Sequence, residues 1–433
     1  MTGEDIKFNL DISLRPKAKG VFKKKTKEVR LIDNDTVSIT FLEPWLTYPS
    51  EQLHRDSKII PKNAYEAAEA ATDWPESWNT SPVGSGPYKF VEQVFGHSTD
   101  YEAFLDYWGG QPHFKDLRLL LVPEDTTRKA LLKTGKVDAI AVSVLDVEEL
   151  TKKDIRIIKN PGAVNSFFWF ANSYRPTDEG WDASLPWVAD IDGPAEDWER
   201  ARKVREAFNL AVDRDGIHQV IYNGLAEKTA LPFMGTGVPG SEYRADLKPY
   251  PFDPARAKQL LKEANFPMDM TITIASFILS GAPEMPEIAQ AAATMWETNL
   301  GIKTEIFNTE WRAGVGAAQR DKTTASFDIS VMRNSTRPTA LDNSKYFTQD
   351  SWSYCYMVGD EFYDLYKSGT TALDIELQNQ IAGEVYSFAY REFCTVPIAI
   401  VPVLYAVSDR IGDWPLQPGH PWFHNYQFIT KAK

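Results

Sequence analysis

Hydrophobic and polar positions alternate along this chain with the period of a strand in some stretches and of a helix in others. Residues 88–91 alternate like a half-buried strand. Gly96 and its polar neighbours predict a turn, and residues 101–105 predict the strand that runs back. This pattern predicts a β-hairpin.

A further strand and a helix follow the hairpin. Residues 117–122 form an apolar run that only Arg118 interrupts, which suggests a buried strand. Residues 126–133 have a helical pattern, and Gly135 is the kind of residue that commonly ends a helix. No combination of side chains between residues 84 and 140 indicates a chemical reaction, so this segment predicts scaffold.

Strand and helix patterns alternate over most of the remaining chain, which predicts an α/β fold. The polar, Pro- and Asp-rich stretch of residues 175–197 indicates a crossing between domains. We predict strands at residues 37–41, 270–275, 303–307 and 327–331, and helices at residues 203–213, 254–264 and 287–300, the last closed by Gly301.

Composition narrows the class of protein. A chain of 433 residues holds two or three domains at about 150 residues per domain. The net charge of −13 argues against a surface for nucleic acid or anionic membranes, since both need basic patches. The sequence has no pattern of a transmembrane helix or signal peptide, and its two cysteines, Cys355 and Cys394, could pair without defining a compartment. Taken alone, these features suggest a cytoplasmic protein.

Several motif look-alikes do not support catalysis or a cofactor. Residues 235–240 match G-x-G-x-x-G, but a turn-rich loop surrounds them instead of the strand and helix that dinucleotide binding requires. His420 and His424 have i, i+4 spacing, but a proline between them opposes a helical metal site. Asp213 and Asp215 lie between two helices, where we expect Asp215 to cap the second helix. The sequence therefore predicts no catalytic residue, metal site or cofactor.

Seven short segments, in a fixed order along the chain, carry a family resemblance. They are SGPYKF (85–90), DYWGG (106–110), KTGKVDAI (133–140), VREAF (204–208), YPFDPARAK (250–258), FDI (327–329) and VPI (396–398). Together they resemble the family-5 extracellular solute-binding proteins, which are the peptide- and nickel-type receptors of ABC importers. The resemblance extends over nearly the whole chain.

The resemblance implies an α/β, two-lobed periplasmic-binding-protein-like fold of class II type, with a hinge. Residues 2–8 resemble a family segment that normally lies well inside the mature protein, so the N-terminal part of lobe I is expected to be missing. The expected organisation is a remnant of the lobe I subdomain at 1–58, the lobe I core at 59–172, lobe II at 173–402, and a return to lobe I at 403–433.

The resemblance also implies a function. It is that of the substrate-binding component of an ABC importer, which captures an oligopeptide or similar small solute by lobe closure and delivers it to membrane permease subunits. Such a protein is not an enzyme, uses no cofactor, binds no nucleic acid and is a monomer. Its location is periplasmic or extracellular, at the membrane through the transporter, and truncation then explains the absent signal peptide.

Four consecutive aromatic residues, 167–170, form the first candidate binding segment. Alternation places Phe168 and Phe170 on one face of a strand and Trp169 on the other. One face is expected in the core. By resemblance this strand runs through the floor of the cleft and the hinge, so the other face is expected to contact the ligand.

The second candidate segment contains Met332, Arg333 and Asn334. In peptide-binding relatives this segment pairs with the ligand main chain like an added strand, and an aspartate neutralises the terminal ammonium of the peptide. Alignment on Pro338 places Asn334 where that aspartate would be, and an amide provides no opposite charge. Arg333 instead offers a fork for a carboxylate or phosphate, unless it is a solvent-facing charge at the end of a strand.

The third candidate group consists of aromatic residues in loops, namely Trp45, Tyr48, Trp352 and Tyr354. Loops have less core to fill, so these side chains could contact a ligand or pack on the surface. The chain has thirteen tryptophans, more than core packing usually needs, and aromatic side chains often line ligand clefts.

Two other classes of function stay open from the sequence. A carboxylate-pair hydrolase with an aromatic cleft, as in glycosidases, would need two facing acids about 5–10 Å apart. A regulatory sensor domain on the same fold would need a fused DNA-binding or signalling segment. The ligand itself is not defined, because one fold serves peptides, sugars and metal complexes.

Overall fold

The computed structural model describes most of the chain. It leaves out residues 17–20, 50–58, 71–80, 173–174, 236–240, 245, 280–281, 312–313, 349–358, 418–423 and 433. Trp352, Tyr354 and Cys355 lie outside the described residues, as does most of the G-x-G-x-x-G look-alike. None of the helices that are described is long and apolar enough to cross a membrane.

The chain divides into two compact units. Unit 1 comprises Met1–Ile140, Val407–Leu416 and Phe423–Lys433, and unit 2 comprises Ala141–Ala406 and Gln417–Trp422. The expected lobe boundaries after residues 172 and 402 both fall inside unit 2. The assignment of residues to lobes therefore stays a prediction.

In the residues that the structure describes, unit 1 contains two small antiparallel sheets, β1-β2 and β3-β4-β5, together with helices. Its elements are α1 Gly3–Leu14, α2 Val21–Lys25, β1 Thr26–Leu31, β2 Val37–Phe41, α3 Lys62–Ala70, β3 Tyr88–Val94, β4 Ser98–Ala103, β5 Asp116–Leu120 and α4 Asp125–Lys133, with a 3-10 turn at Tyr426–Phe428. Gly96 turns the chain between β3 and β4 with a φ of 73°, as the hairpin pattern predicts.

The strand predicted at residues 117–122 forms as β5, but the prediction that it is buried was wrong. Leu119 is 37% exposed and Leu121 is 61% exposed. The reason is position in the sheet, since β5 is an outer strand of only three. A continuous apolar run indicates burial on both faces only when a second layer covers each face.

Unit 2 is built on a six-stranded mixed sheet with the order β6-β11-β7-β10-β8-β9. Its strands are β6 Ala139–Val142, which begins at the unit boundary, β7 Arg156–Phe170, β8 Thr271–Ser276, β9 Lys303–Asn308, β10 Ile329–Ser335 and β11 Thr395–Val407. Its helices are α5 Val147–Thr151, α6 Ala195–Leu210, α7 Arg214–Val220, α8 Pro254–Glu263, α9 Met285–Leu300, α10 Val315–Asp321, α11 Ala340–Ser344, α12 Asp360–Thr371 and α13 Ile375–Arg391, with 3-10 turns at Val144–Asp146, Ser241–Arg244 and Lys345–Phe347.

Local capping signals place several of these helices. The Asp253 side chain accepts a hydrogen bond from the main-chain N–H of Arg256 at 2.9 Å, directly before α8. Gly301 ends α9 with a φ of 80°, which glycine adopts without strain. The cap assigned to Asp215 was wrong: the Asp213 carboxylate accepts from the N–H of Gly216, whereas Asp215 pairs with Lys228 at 2.6 Å.

A buried arginine connects α7 to the central sheet. The Arg214 guanidinium donates to the carbonyl of Pro397 on β11 at 2.6 Å, and to the carbonyl and side-chain oxygens of Asn209 at 2.9 and 2.8 Å. Burial lowers the pKa of Arg214 to about 10, which still leaves the guanidinium charged at neutral pH. These hydrogen bonds satisfy a charge that would otherwise be costly to bury.

Candidate functional site

Two of the three predicted binding segments meet on neighbouring strands of unit 2. Strands β7 and β10 pair antiparallel from Ile329 opposite Phe170 to Ser335 opposite Val164. The pairing of β10 with β8 covers Ile329 and Ser330, and β10 then continues through residues 331–335. Residues that lie opposite each other in such a pair share one face of the sheet.

The aromatic side chains of β7 lie in the core on both faces of the sheet. Phe168 is fully buried and packs edge-on against Trp296 of α9, with ring centroids 5.2 Å apart. Phe170 is 1% exposed and contacts Phe208 of α6 at 6.0 Å. On the other face Trp169 is fully buried and contacts Phe327 at 6.3 Å.

Met332 of β10 is also fully buried and lies opposite Phe167. The sequence predicted that one face of β7 lies in the core. In the structure the other face is buried as well. A role of Phe168, Trp169, Phe170 and Met332 in ligand contact stays a prediction, while their packing role is clear from these contacts.

The polar side chains at the end of the β7–β10 pair form a group that we name the charged cluster. Its members are Ser166, Tyr222, Glu284 and Arg333. Arg333 lies opposite Ser166 in the strand pair, and its Nη1 atom is 3.3 Å from Oε1 of Glu284. The side chains of Arg333 and Glu284 are 9% and 3% exposed, so Arg333 is not a solvent-facing charge.

Burial dominates the electrostatics of the charged cluster. It raises the pKa of the Glu284 carboxyl, and the Arg333 guanidinium opposes that increase. It lowers the pKa of Arg333, and Glu284 opposes that decrease. Burial also raises the pKa of the Tyr222 phenol; Glu284 adds to that increase, while Ser166 and Arg333 oppose it. The cluster thus holds one cation and one anion in a nearly dry environment.

A second group on the opposite face, the amide cluster, consists of Asn165, Asn334 and Thr336. The Asn165 amide donates to the main-chain carbonyl of Asn334 at 3.1 Å and to the Thr336 hydroxyl at 3.2 Å. The side-chain oxygen of Asn165 accepts from the main-chain N–H of Phe233 at 2.6 Å. Asn165 therefore fixes the main chain at Asn334, the position where the sequence analysis expected contact with a ligand.

A second guanidinium lies just beyond β10. Arg337 donates from Nε and Nη2 to the Tyr346 hydroxyl at 2.9 and 2.6 Å, and its main-chain N–H donates to Asn343. The Tyr346 ring stacks on Phe233 with centroids 4.9 Å apart. Because Asn165 and Tyr346 both contact Phe233, Arg337 is held in the same framework as the amide cluster.

The candidate loop aromatics are not all described. Trp45 is 6% exposed and forms a small core of unit 1 with Phe22 and Val29, against which Tyr48 packs half-buried. The Trp45 and Tyr48 rings are 5.2 Å apart. Packing in this small core accounts for both residues, and their role in ligand contact stays a prediction. The same role for Trp352 and Tyr354 falls outside the described residues.

A small cavity reaches Glu284 from the side of β6 and β11. It is lined by residues 141–144, residues 401–404 and Glu284, and its volume of about 20 Å³ has room for one water molecule. A solute does not fit in this space. Within the described residues, moreover, no group of three or more His, Cys, Asp or Glu side chains is arranged to hold a metal ion.

Sequence reasoning missed four members of these clusters. Glu284 and Tyr222 are far in sequence from Arg333 and belong to no motif. Asn165 and Ser166 were a weak signal, because two polar residues directly precede the aromatic run of β7. The charged cluster has hydrogen-bonding groups but a single carboxylate, Glu284, whereas a carboxylate-pair hydrolase needs two facing acids.

The chain matches a known protein family over most of its length. Residues 1–354 match the family described as bacterial extracellular solute-binding proteins, family 5 Middle. Among similar proteins, heme-binding protein A of Haemophilus influenzae is 27% identical over 67% of this chain and 49% of its own length. The glutathione-binding protein GsiB of Pectobacterium atrosepticum is 28% identical over 72% of this chain and 55% of its own length.

A solved structure agrees on the fold. The ABC transporter-associated periplasmic binding protein DppA from Helicobacter pylori, in complex with the peptide STSA, superposes with a TM-score of 0.78 and 19% identity, over 100% of this chain and 82% of that chain. The expected α/β, class II periplasmic-binding-protein-like fold is thereby confirmed.

The chain spans about half the length of the curated relatives that it matches. The matched family consists of binding proteins and not of enzymes, in agreement with the expectation from the sequence. Since the family match covers residues 1–354 of 433, the chain belongs to the bacterial extracellular solute-binding proteins of family 5.

Proposed function

We propose that this chain is the solute-capturing part of the substrate-binding component of an ABC importer. It binds an oligopeptide or a similar small solute by lobe closure and delivers it to membrane permease subunits. The observation that carries the proposal is the course of β10, which runs on through residues 331–335 after its pairing with β8. A peptide main chain adds to the sheet along this part of β10, in the manner of strand addition.

The side chains near this segment support a ligand with an anionic group. Arg333 and Arg337 bring two guanidinium groups close to the end of β10, and Asn334 provides no negative charge for a terminal ammonium. Similar proteins are named for peptide, glutathione and heme, and each of these ligands carries carboxylates. The proposed solute therefore presents a carboxylate to this end of the sheet.

The proposed compartment is periplasmic or extracellular, with the protein at the membrane through its permease. Cys394 is fully buried and takes part in a disulfide, and disulfides persist in oxidising compartments. The name of the family also describes extracellular proteins. We propose that the protein acts as a monomer toward its solute and its permease.

Ligand-dependent thermal stabilisation tests the function. The protein is heated with members of a panel that contains di- and tripeptides, glutathione, heme, an opine and nickel–histidine. A true ligand at about 100 times its Kd adds roughly 2.7 kcal/mol to the free energy of unfolding and raises Tm. If no member of the panel raises Tm, the proposal is wrong.

The same samples separate binding from hydrolysis. Mass spectrometry of the recovered ligand after prolonged incubation should show an unchanged mass, because a receptor makes and breaks no covalent bond. A cleaved ligand in stoichiometric excess would favour the hydrolase instead, and substitution of Glu284 by glutamine would then have to abolish the cleavage.

A further inference from the structure

The turn that follows α7 exposes an asparagine directly before a glycine. Asn223 and Gly224 are both exposed, and both have a left-handed main chain, with φ of 52° and 70°. Glycine and asparagine are the residues that adopt this conformation most readily. The sequence contains this Asn–Gly dipeptide once. The turn therefore presents a side-chain amide next to an accessible main-chain nitrogen.

These two groups can react with each other, because the side-chain amide of asparagine is chemically labile. The Gly224 nitrogen attacks Cγ of Asn223, so that a bond from this nitrogen to Cγ forms and the Cγ–Nδ2 bond breaks. Nδ2 leaves as ammonia and takes the hydrogen of the Gly224 N–H, and the product is a five-membered succinimide. Solvent water then opens the ring. Attack at Cγ gives aspartate, and attack at the main-chain carbonyl carbon gives isoaspartate, whose chain continues through Cγ.

The Asn223 side chain is free to rotate toward the glycine. Within the part of the chain that the structure describes, no hydrogen bond holds its amide. Other asparagines are fixed through theirs: the side chains of Asn165, Asn209 and Asn343 donate to main-chain carbonyls at 2.8–3.1 Å. Rotation of Asn223 thus breaks no contact of its own side chain.

Asn265, which follows α8, has the same local geometry and a different neighbour. It is exposed, and its φ is 53°. The N–H of the next residue, Phe266, donates to the carbonyl of Leu261 at 3.0 Å. The N–H of Gly224 is held in the same way by the carbonyl of His218, also at 3.0 Å. Phe266, however, is only 6% exposed, so packing anchors its nitrogen, and its Cβ hinders the approach to Cγ.

We propose that Asn223 is a site of spontaneous deamidation through a succinimide in the folded protein, whereas Asn265 is protected. Gly224 has no Cβ that hinders the attack. Its nitrogen becomes available when one hydrogen bond at the exposed turn opens, which requires no unfolding of the core. The reaction involves this turn and solvent alone, so the proposal is independent of the solute.

Isoaspartate would be the damaging product, because it adds one carbon to the main chain of a turn that is held at both ends. On one side Tyr222, a member of the charged cluster, is fully buried. On the other side Glu227 exchanges two main-chain hydrogen bonds with Ile400 of β11, at 2.8 and 2.9 Å. The extra carbon has to be accommodated between these two fixed points. Molecules with isoaspartate at position 223 should therefore have a lower Tm.

Peptide mapping of the folded protein tests the proposal. The protein is incubated at neutral pH and physiological temperature, and mass spectrometry follows the conversion of amide to acid at each asparagine. Fragmentation spectra distinguish isoaspartate from aspartate. Asn223 should convert at least severalfold faster than Asn265 and should yield both products. Equal rates at the two positions, aspartate without isoaspartate at 223, or conversion of Asn223 only in urea-unfolded protein would overturn the inference.

Asn223→Gly is the matched variant. Glycine retains the left-handed main chain without strain and has no amide to lose. During the same incubation the Tm of the wild type should fall in proportion to its isoaspartate content, and the Tm of Asn223→Gly should stay constant. An equal fall in both proteins would contradict the proposed effect of the modification on the turn.

Discussion

The Nη1 atom of Arg333 lies 3.3 Å from Oε1 of Glu284, although the two residues are 49 positions apart in the chain. This contact joins the end of β10 to the start of α9 inside unit 2. Because both side chains are nearly dry, each charge depends on the other, and the pair is sensitive to the loss of one partner.

Removal of the cation alone should destabilise the protein strongly. Arg333→Met leaves the Glu284 carboxylate buried without a counter-ion, which should lower the free energy of unfolding by about 3–5 kcal/mol at neutral pH. Urea denaturation measures this change. The control is Glu284→Gln/Arg333→Met, in which no buried charge remains, and which should recover most of the loss. Equal losses in the single and double variants would contradict a paired charge.

The Glu284 carboxyl should make stability fall as pH rises. Its pKa is raised in the folded state above the ordinary value of 4.5, so between those two values the unfolded chain has lost a proton that the folded chain retains. The free energy of unfolding therefore decreases with rising pH across that window and levels off above it. The measurement is the urea midpoint as a function of pH, for the wild type and for Glu284→Gln. The fall in stability that the Glu284 carboxyl causes should be absent from the variant.

The buried guanidinium of Arg214 should matter far more than an exposed one. Arg214→Met removes the guanidinium that donates to the Pro397 carbonyl and to the Asn209 side-chain oxygen, at a cost of about 1–3 kcal/mol for each group left unsatisfied. The matched control is Arg256→Met, which breaks an exposed pair with Glu263 at 3.1 Å and should cost about 0–1 kcal/mol. Thermal unfolding of both variants decides the point, and similar changes in Tm would argue against the buried network.

The aromatic core of β7 should behave as packing. Phe168→Ala removes a fully buried ring from its contact with Trp296 and should cost about 3–5 kcal/mol. Urea denaturation followed by circular dichroism measures the change. Phe168→Leu, which preserves most of the volume, should cost less than about 1.5 kcal/mol. A stability like that of the wild type in the alanine variant would show that this face of β7 is not a core.

Local signals in the sequence were sufficient for much of the fold. Asp253 before Pro254 begins α8, Gly301 ends α9, and Gly96 turns the hairpin as expected. These features depend on residues within one turn of each other, so a single sequence contains all of the relevant physics. The order of short motifs likewise led to the family, which the comparison with known proteins shows.

What only the tertiary structure decided is burial and the meeting of distant charges. The apolar run of β5 is exposed because β5 is an outer strand, while residues 167–170 of β7 are buried on both faces of the sheet. Arg333 acquires a partner from a segment 49 residues away, and no local period encodes that contact. Burial and charge pairing depend on which elements pack together, a property of the whole fold that no short window of sequence contains.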